Sequence, residues 1–262
     1  MMVLESFSLK GRTALVTGGA GLFGKQIVEA LAEAGAETFL ASRNLAEQEK
    51  VAEEFRSRRL SVTALELDLG NEKSIEKTIA EIIERSGRLD VLVNNAVTRC
   101  ACKSWKLSMD DFDRSLRVNA SGLFCITRLA AEQMKKQQAG SVINVGSYMG
   151  LLGPNPVNYE GTDMFSRDAS PIYFYEKGGM VNFTRFAASV LGIYGIRVNC
   201  INPGGFLNNQ PEAFIRQYSA NTMLGRLAND SDLKGVIVFL ASDASLYLTG
   251  CNIPVDGGYT AK

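Results

Sequence analysis

The sequence predicts an α/β fold: a mainly parallel sheet covered by helices on both faces. Short runs of β-branched and aliphatic residues alternate with longer segments whose apolar residues recur every three or four positions. Strands separated by helical crossovers argue for a parallel sheet covered on both faces. The first run also ends directly in a cluster of glycines, as a strand does when it turns sharply into a helix.

Residues 13–17 (TALVT) read as the first strand, stopped by Gly18 and Gly19. Residues 24–34 place Ile27, Val28, Leu31 and Ala34 on one helical face, and Gly35 ends the helix. A strand at 37–41, a charged helix at 45–58, a strand at 61–65 running out near Asp68, a helix at 74–86 and a strand at 90–94 follow. Residues 110–138 read as one long helix, 141–145 as a strand, 173–192 as a second long helix and 197–201 as a strand. A helix at 231–241 and a short strand at 252–255 complete about seven strands. No linker, repeat or low-complexity segment interrupts the pattern, so one domain over 1–262 is expected. Segments 148–172 and 205–230 are left as substrate loops.

Lysines and arginines equal aspartates and glutamates at 28 each, so no net charge draws the chain to nucleic acid or an anionic membrane. No basic start leads into a long apolar run and no 18-residue apolar stretch occurs, so a cytoplasmic protein with no membrane partner is expected. Cys125, Cys200 and Cys251 lie in apolar runs and read as small buried hydrophobes. Cys100 and Cys102 form one close pair with no histidine partner, so they read as reduced loop thiols and no metal is expected. The absence of histidine excludes Ser-His-Asp and Cys-His nucleophile systems. Acid–base chemistry falls to Tyr, Lys, Asp, Glu, Cys or water.

Thr17-Gly-Gly-Ala-Gly-Leu-Phe-Gly24 joins the first strand to the first helix. Gly18 suits the tight turn, Gly21 the approach of a pyrophosphate and Gly24 close helix–strand packing, while the helix N-terminus offers free N–H groups to phosphate. The context required of such a turn, strand before and helix after, is present. The second strand ends in Ser42-Arg43, where a carboxylate would bind the ribose hydroxyls of NAD. A serine hydroxyl and a guanidinium suit a 2′-phosphate instead, which favours NADP, with NAD the alternative.

These residues, with Asp68, Asn94-Asn-Ala96, Asn119, Ser147, Tyr173-Phe-Tyr-Glu-Lys177 and Asn202-Pro-Gly-Gly205 in this order, resemble the short-chain dehydrogenase/reductase family over nearly the whole chain. The resemblance implies a Rossmann-type doubly wound sheet and an NAD(P)-dependent enzyme interconverting an alcohol and a ketone by hydride transfer. It implies Tyr173 as proton donor or acceptor and Lys177 as its partner and a ribose ligand. Ser147 would orient the substrate oxygen, and Asn119 would hold a water leading to solvent. It places the cofactor on Gly18, Gly21, Leu22, Phe23, Gly24, Ser42, Arg43, Asp68, Leu69, Asn94, Ala96, Tyr173, Lys177, Pro203, Gly204, Phe206 and Asn208. It also implies a small-molecule carbonyl or alcohol as partner, and a homo-oligomer, commonly a tetramer. Leu123, Phe124, Phe183 and Phe186 would supply apolar surface for that contact. The chemistry also follows from the residues: Tyr173 and Lys177 are one helical turn apart. A free phenol titrates near about 10, and a neighbouring ammonium favours the phenolate.

The chain departs from the family pattern at several points. Leu22 stands where the second glycine is usual, and Val97 where glycine commonly follows Asn-Asn-Ala. Asn208 takes the place of a threonine that bonds the nicotinamide amide. Ser147 and Tyr173 are 26 residues apart, about twice the usual separation of roughly thirteen. Tyr159 stands near the usual place, but Asp163 follows it where a lysine is needed, so Tyr173 with Lys177 is the better pair. Tyr159-Glu-Gly-Thr162 resembles a subgroup linked to bacterial surface-sugar and flagellar-sugar modification, which implies a sugar-derived, polyhydroxylated substrate. A loop that only seals the site or buttresses a subunit contact gives the same letters. Two other activities stay open: reduction of a 3-oxoacyl thioester, and non-catalytic NADP-binding regulation.

Overall fold

The computed structural model describes residues 2–99, 105–164 and 170–262. Strands β1 (Thr13–Thr17), β2 (Glu37–Ser42), β3 (Val62–Glu66), β4 (Val91–Asn94), β5 (Gly140–Val145), β6 (Ile196–Pro203) and β7 (Asn252–Val255) form one sheet in the order β3-β2-β1-β4-β5-β6-β7. Every pairing is parallel. All strands therefore end on one edge, and the order reverses between β1 and β4, where such sheets open a crevice for ligands. Pro254, which cannot donate to a ladder, lies on the edge strand β7.

Alternate residues of β1 feed the two faces. Ala14 and Val16 join Ile27, Leu31, Phe55, Ile237 and Leu240 on one side, while Leu15 joins Phe39, Ile79, Ile126, Met134 and Val198 on the other. The first face is covered by α1 (Leu22–Glu33), α2 (Leu45–Ser57) and α8 (Lys234–Ala241). The second is covered by α3 (Glu72–Ser86), α5 (Leu123–Gln137) and α6 (Pro171–Leu191).

Three regions differ from the sequence expectation. The helix expected at 110–138 is α4 (Met109–Leu116) and α5 joined through a wider, π-helical turn at Arg117–Gly122. At its end Gly122 packs so closely that a Cβ would lie 2.2 Å from the Leu69 carbonyl oxygen. The loop expected at 205–230 contains α7 (Glu212–Asn221), which buries Phe214 and Tyr218, one turn apart. Leu123, expected on the outer surface, is buried with Met180 and Cys200. Cys125 and Cys200 are buried, whereas Cys251 is partly exposed. Cys100 and Cys102 lie outside the described residues. Among the described residues no helix is long and apolar enough to cross a membrane.

Candidate active site

The glycine turn is held by backbone contact. Gly18 adopts φ +66°, and a Cβ on it would meet Ala96 Cα at 2.9 Å. A Cβ on Gly24 would lie 2.2 Å from the Gly18 carbonyl oxygen, so α1 sits against the turn only with glycine there. Gly21 caps α1 in ordinary extended backbone (φ −69°, ψ 172°), and its N–H donates to Gly18 O at 3.1 Å. The first rung of the helix is Lys25 N–H to Gly21 O at 3.0 Å, so the N–H groups of Leu22, Phe23 and Gly24 precede the ladder. Leu22 occupies the first helical position, 52% exposed, which explains how the turn closes without the usual second glycine. Phe23 packs edge-on against Phe206 at 5.3 Å, linking the turn to the segment after β6.

A cavity of about 1030 Å³ runs along the ends of the strands from this turn. One end is lined by Ser42, Arg43, Gln48, Asp68 and Leu69. Ser42 Oγ accepts from Asn44 N–H at 3.3 Å, and Asn44 caps α2 by accepting from Glu47 N–H at 3.2 Å. Asp68 Oδ1 accepts from Gly70 N–H at 2.8 Å. Gln48 is buried there, and its Oε1 has no hydrogen-bond partner among the described residues. In the middle, Asn95 donates to the Thr17 and Gly18 carbonyls at 3.0 and 2.9 Å, stitching the segment after β4 to the glycine turn. Ala96 lines the cavity beside it. The Asn94 side chain turns into the core instead, donating to Thr127 Oγ1 and Asn144 Oδ1 at 3.0 and 2.9 Å. Cavity size, the orphan acceptor and the Gly24 close approach fit a dinucleotide.

The other end gathers side chains from distant segments. Ser147 follows β5 and caps a 3₁₀ turn (Tyr148–Gly150), its Oγ accepting from Met149 N–H at 3.1 Å. Tyr173 and Lys177 line the same space from the first turns of α6, which opens with Pro171 at a position where its missing N–H costs nothing. Lys177 is 5% exposed; its Nζ donates to Val145 O at 2.7 Å and lies 5.8 Å from the Tyr173 ring centroid. The Arg99 guanidinium approaches the same ring at 5.8 Å, so two cations flank it.

Tyr159 also lines the cavity, but at the end of a 3₁₀ turn (Pro156–Tyr159) with its ring 5.2 Å from Phe214. Burial pushes its phenol above the ordinary range. Tyr148 is pushed further up for the same reason. These rings, with Tyr218 and Tyr259, form a separate aromatic cluster. Segments 148–172 and 205–230 are tied together here. Asn158 donates to Tyr259 Oη at 2.7 Å and accepts from Asn221 at 2.9 Å. Pro203, Gly204, Phe206 and Asn208 line the cavity on the α7 side. Gly205 N–H donates to Tyr218 Oη at 2.6 Å, and Asn208 N–H to Gln210 Oε1 at 2.6 Å.

Asn119 sits one layer behind the cavity, on the π-helical turn. Its Oδ1 accepts from Thr98 N–H at 2.8 Å, and its Nδ2 donates to Thr98 O at 2.7 Å and Glu176 Oε2 at 2.9 Å. Both amide hydrogens are thus committed to protein acceptors. Glu176, which the sequence reading passed over, lines the cavity between Asn119 and Lys177 and is buried. Its signal was a carboxylate placed directly before the lysine in Tyr173-Phe-Tyr-Glu-Lys177.

The family described as enoyl-(acyl carrier protein) reductase has a sequence model that matches residues 20–260. The 3-oxoacyl-[acyl-carrier-protein] reductase FabG of Staphylococcus aureus is 30% identical over 255 residues, covering 94% of this chain and 97% of the relative. The uncharacterized oxidoreductase YgcW of Escherichia coli is 32% identical over 265 residues, covering 99% and 96%. A gluconate 5-dehydrogenase from Burkholderia cenocepacia J2315, solved in complex with NADP and tartrate, superposes with a TM-score of 0.88 at 28% identity, covering 100% of both chains. This chain belongs to the short-chain dehydrogenase/reductase family. It is an NAD(P)-dependent oxidoreductase of that family, acting on a CH–OH group or the corresponding carbonyl.

Proposed function

We propose that the protein interconverts a secondary alcohol and a ketone on a small polyhydroxylated, sugar-derived substrate with NADP. The observation that carries the reaction is the grouping of Ser147, Tyr173 and Lys177 at one end of a cavity whose other end holds Ser42 and Arg43. When bound, NADPH would supply the hydride in reduction and NADP⁺ would accept it in oxidation. Its phosphates would rest on the turn at Gly18, Gly21, Leu22, Phe23 and Gly24, and its adenosine 2′-phosphate on Ser42 and Arg43. Leu69 and the Asn94 backbone, with Asp68 and Ala96, would line the adenosine and ribose. Pro203, Gly204, Phe206 and Asn208 would border the nicotinamide. Ser147 donates a hydrogen bond to the substrate oxygen. Tyr173 gives that oxygen its proton in reduction and takes it back in oxidation, with the Lys177 ammonium favouring the phenolate.

The substrate class rests on the polar cavity lining, where Arg99 and Asp163 offer charge and hydrogen bonds, and on the gluconate dehydrogenase neighbour. A second reading, reduction of a 3-oxoacyl thioester, is favoured by the relatives of that name. A screen of polyols, sugar acids and acyl thioesters, followed by NADPH absorbance, separates the two. Turnover confined to sugar-derived substrates supports the first, turnover confined to thioesters the second, and none with either contradicts both.

We also propose that the chain forms a homo-oligomer through α5 and α6, where Phe124 and Phe186 are 52% and 61% exposed. Light scattering at micromolar concentration should show more than a monomer.

A further inference from the structure

Buried ionised groups persist only when paired or hydrogen-bonded. The floor of the cavity holds two neighbours in sequence that meet this condition differently. Lys177 has the Val145 carbonyl for one of its three N–H donors. Glu176, 7% exposed, accepts from Ser115 Oγ at 2.7 Å through Oε1 and from Asn119 at 2.9 Å through Oε2. Ser115 and Asn119 are one turn apart at the junction of α4 and the π-helical turn, so the wider turn helps present both donors to one carboxylate. Phe112 against Tyr175 at 5.6 Å packs the same helix pair.

We infer that Glu176 is a positioning residue: it stands one helical turn after Tyr173 and beside Lys177 on α6, and its carboxylate opposes release of the Tyr173 proton. The inference rests on the reading of Tyr173 as the acid–base group. Burial pushes Glu176 above the usual carboxylate range. The hydrogen bonds from Ser115 and Asn119, and then the charge of Lys177, pull it back. The other charged and titratable groups near Tyr173 come from three directions. Arg99 lies over its ring from the segment after β4. Asp163 and Tyr159 line the cavity from the segment before α6. Cys200 on β6, near Lys177, is pushed up to about 11 by burial and stays neutral at physiological pH. Glu176 is the carboxylate on the same helical turn as Lys177, so its removal leaves the cations facing Tyr173 less opposed.

Glu176→Gln tests this without changing shape. The amide oxygen can accept from Asn119, and the amide nitrogen can donate to Ser115, whose hydroxyl serves in either sense. Tyrosinate absorbance is titrated in the cofactor-free protein, once for the parent minus Tyr173→Phe and once for Glu176→Gln minus Glu176→Gln/Tyr173→Phe. Each difference isolates Tyr173 without any substrate. In the Glu176→Gln background the Tyr173 midpoint should fall by about half a unit or more, the direction expected when one negative charge is removed. A midpoint that stays or rises overturns the inference, because a purely structural role would not lower it. If Tyr173→Phe removes no titrating signal before the fold is lost, as followed by circular dichroism, the acid–base reading itself fails. Glu176→Asp, which keeps the charge, should hold the midpoint closer to the parent's than Glu176→Gln does, and a fall as large as with the amide overturns the inference.

Discussion

The two ends of the cavity are built by different means. The glycine turn is backbone packed on backbone: Gly24 against Gly18, Gly18 against Ala96, and Asn95 tied to the carbonyls of residues 17 and 18. The substrate end is made of side chains from β5, α6, the segment before it and α7, with an aromatic cluster between them. A main-chain site is specified by absent side chains within eight consecutive residues. A side-chain site is specified by residues far apart in sequence, so its loops can lengthen while its chemistry stays in place.

The steric difference can be broken most sharply at the turn. Gly24→Ala puts a Cβ 2.2 Å from a backbone oxygen, whereas Gly21→Ala puts one 3.3 Å from it in backbone that any residue adopts. Gly24→Ala should lose soluble folded protein or weaken NADPH more than about a hundredfold, since overpacking against backbone costs roughly 1–3 kcal/mol or more. Gly21→Ala should keep NADPH affinity within about tenfold. Calorimetric titration compares them, and equal losses would contradict the steric account.

A smaller effect is expected at the end lined by Ser42 and Arg43, the proposed seat of the 2′-phosphate. Arg43→Ala should weaken NADPH about ten- to a hundredfold with little change for NADH, the scale of one charge-assisted contact. Ser42→Asp should weaken NADPH and favour NADH, because a carboxylate repels phosphate and accepts the ribose hydroxyls. Wild-type protein that binds NADH as well as NADPH would remove Arg43 as a phosphate ligand.

The smallest effect concerns stability at the substrate end. Burial makes folded Glu176 hold its proton more tightly than the unfolded chain does. Its ionisation therefore costs stability as pH rises from the ordinary glutamate range through the higher folded value. Glu176→Gln has no such cost, so its Tm should gain on the parent as pH rises. Parallel Tm curves for the two proteins would contradict this.

Most of the fold was legible because short strand-like runs alternate with helices that carry clear apolar stripes. The π-helical turn was not, since no proline interrupts Arg117–Gly122 and the close approach of Gly122 to Leu69 depends on contact with a distant loop. Helix α7 was hidden because its ten residues bury chiefly Phe214 and Tyr218, a short pattern inside a region read as loop. Tyr173, Lys177 and Ser147 were named as a set despite the long segment between them, from their spacing and order, and the fold brings all three to one end of the cavity. Asn94 was placed on the cofactor, but its side chain serves the core, and Asn95 faces the turn. Glu176 was missed because a carboxylate beside a lysine on a helix reads as solvated charge until burial is known.

The central claim is that Tyr173, flanked by Lys177, moves the proton, while Tyr159 is structural. It is tested by comparing kcat of the wild type, Tyr173→Phe and Tyr159→Phe on the fastest substrate of the screen, with NADPH affinity measured in parallel. Tyr173→Phe should lower kcat by about 10²–10⁴-fold, the usual contribution of a positioned acid or base, with NADPH affinity nearly unchanged, while Tyr159→Phe should keep most of the activity. Near-normal turnover in Tyr173→Phe together with its loss in Tyr159→Phe would contradict the account.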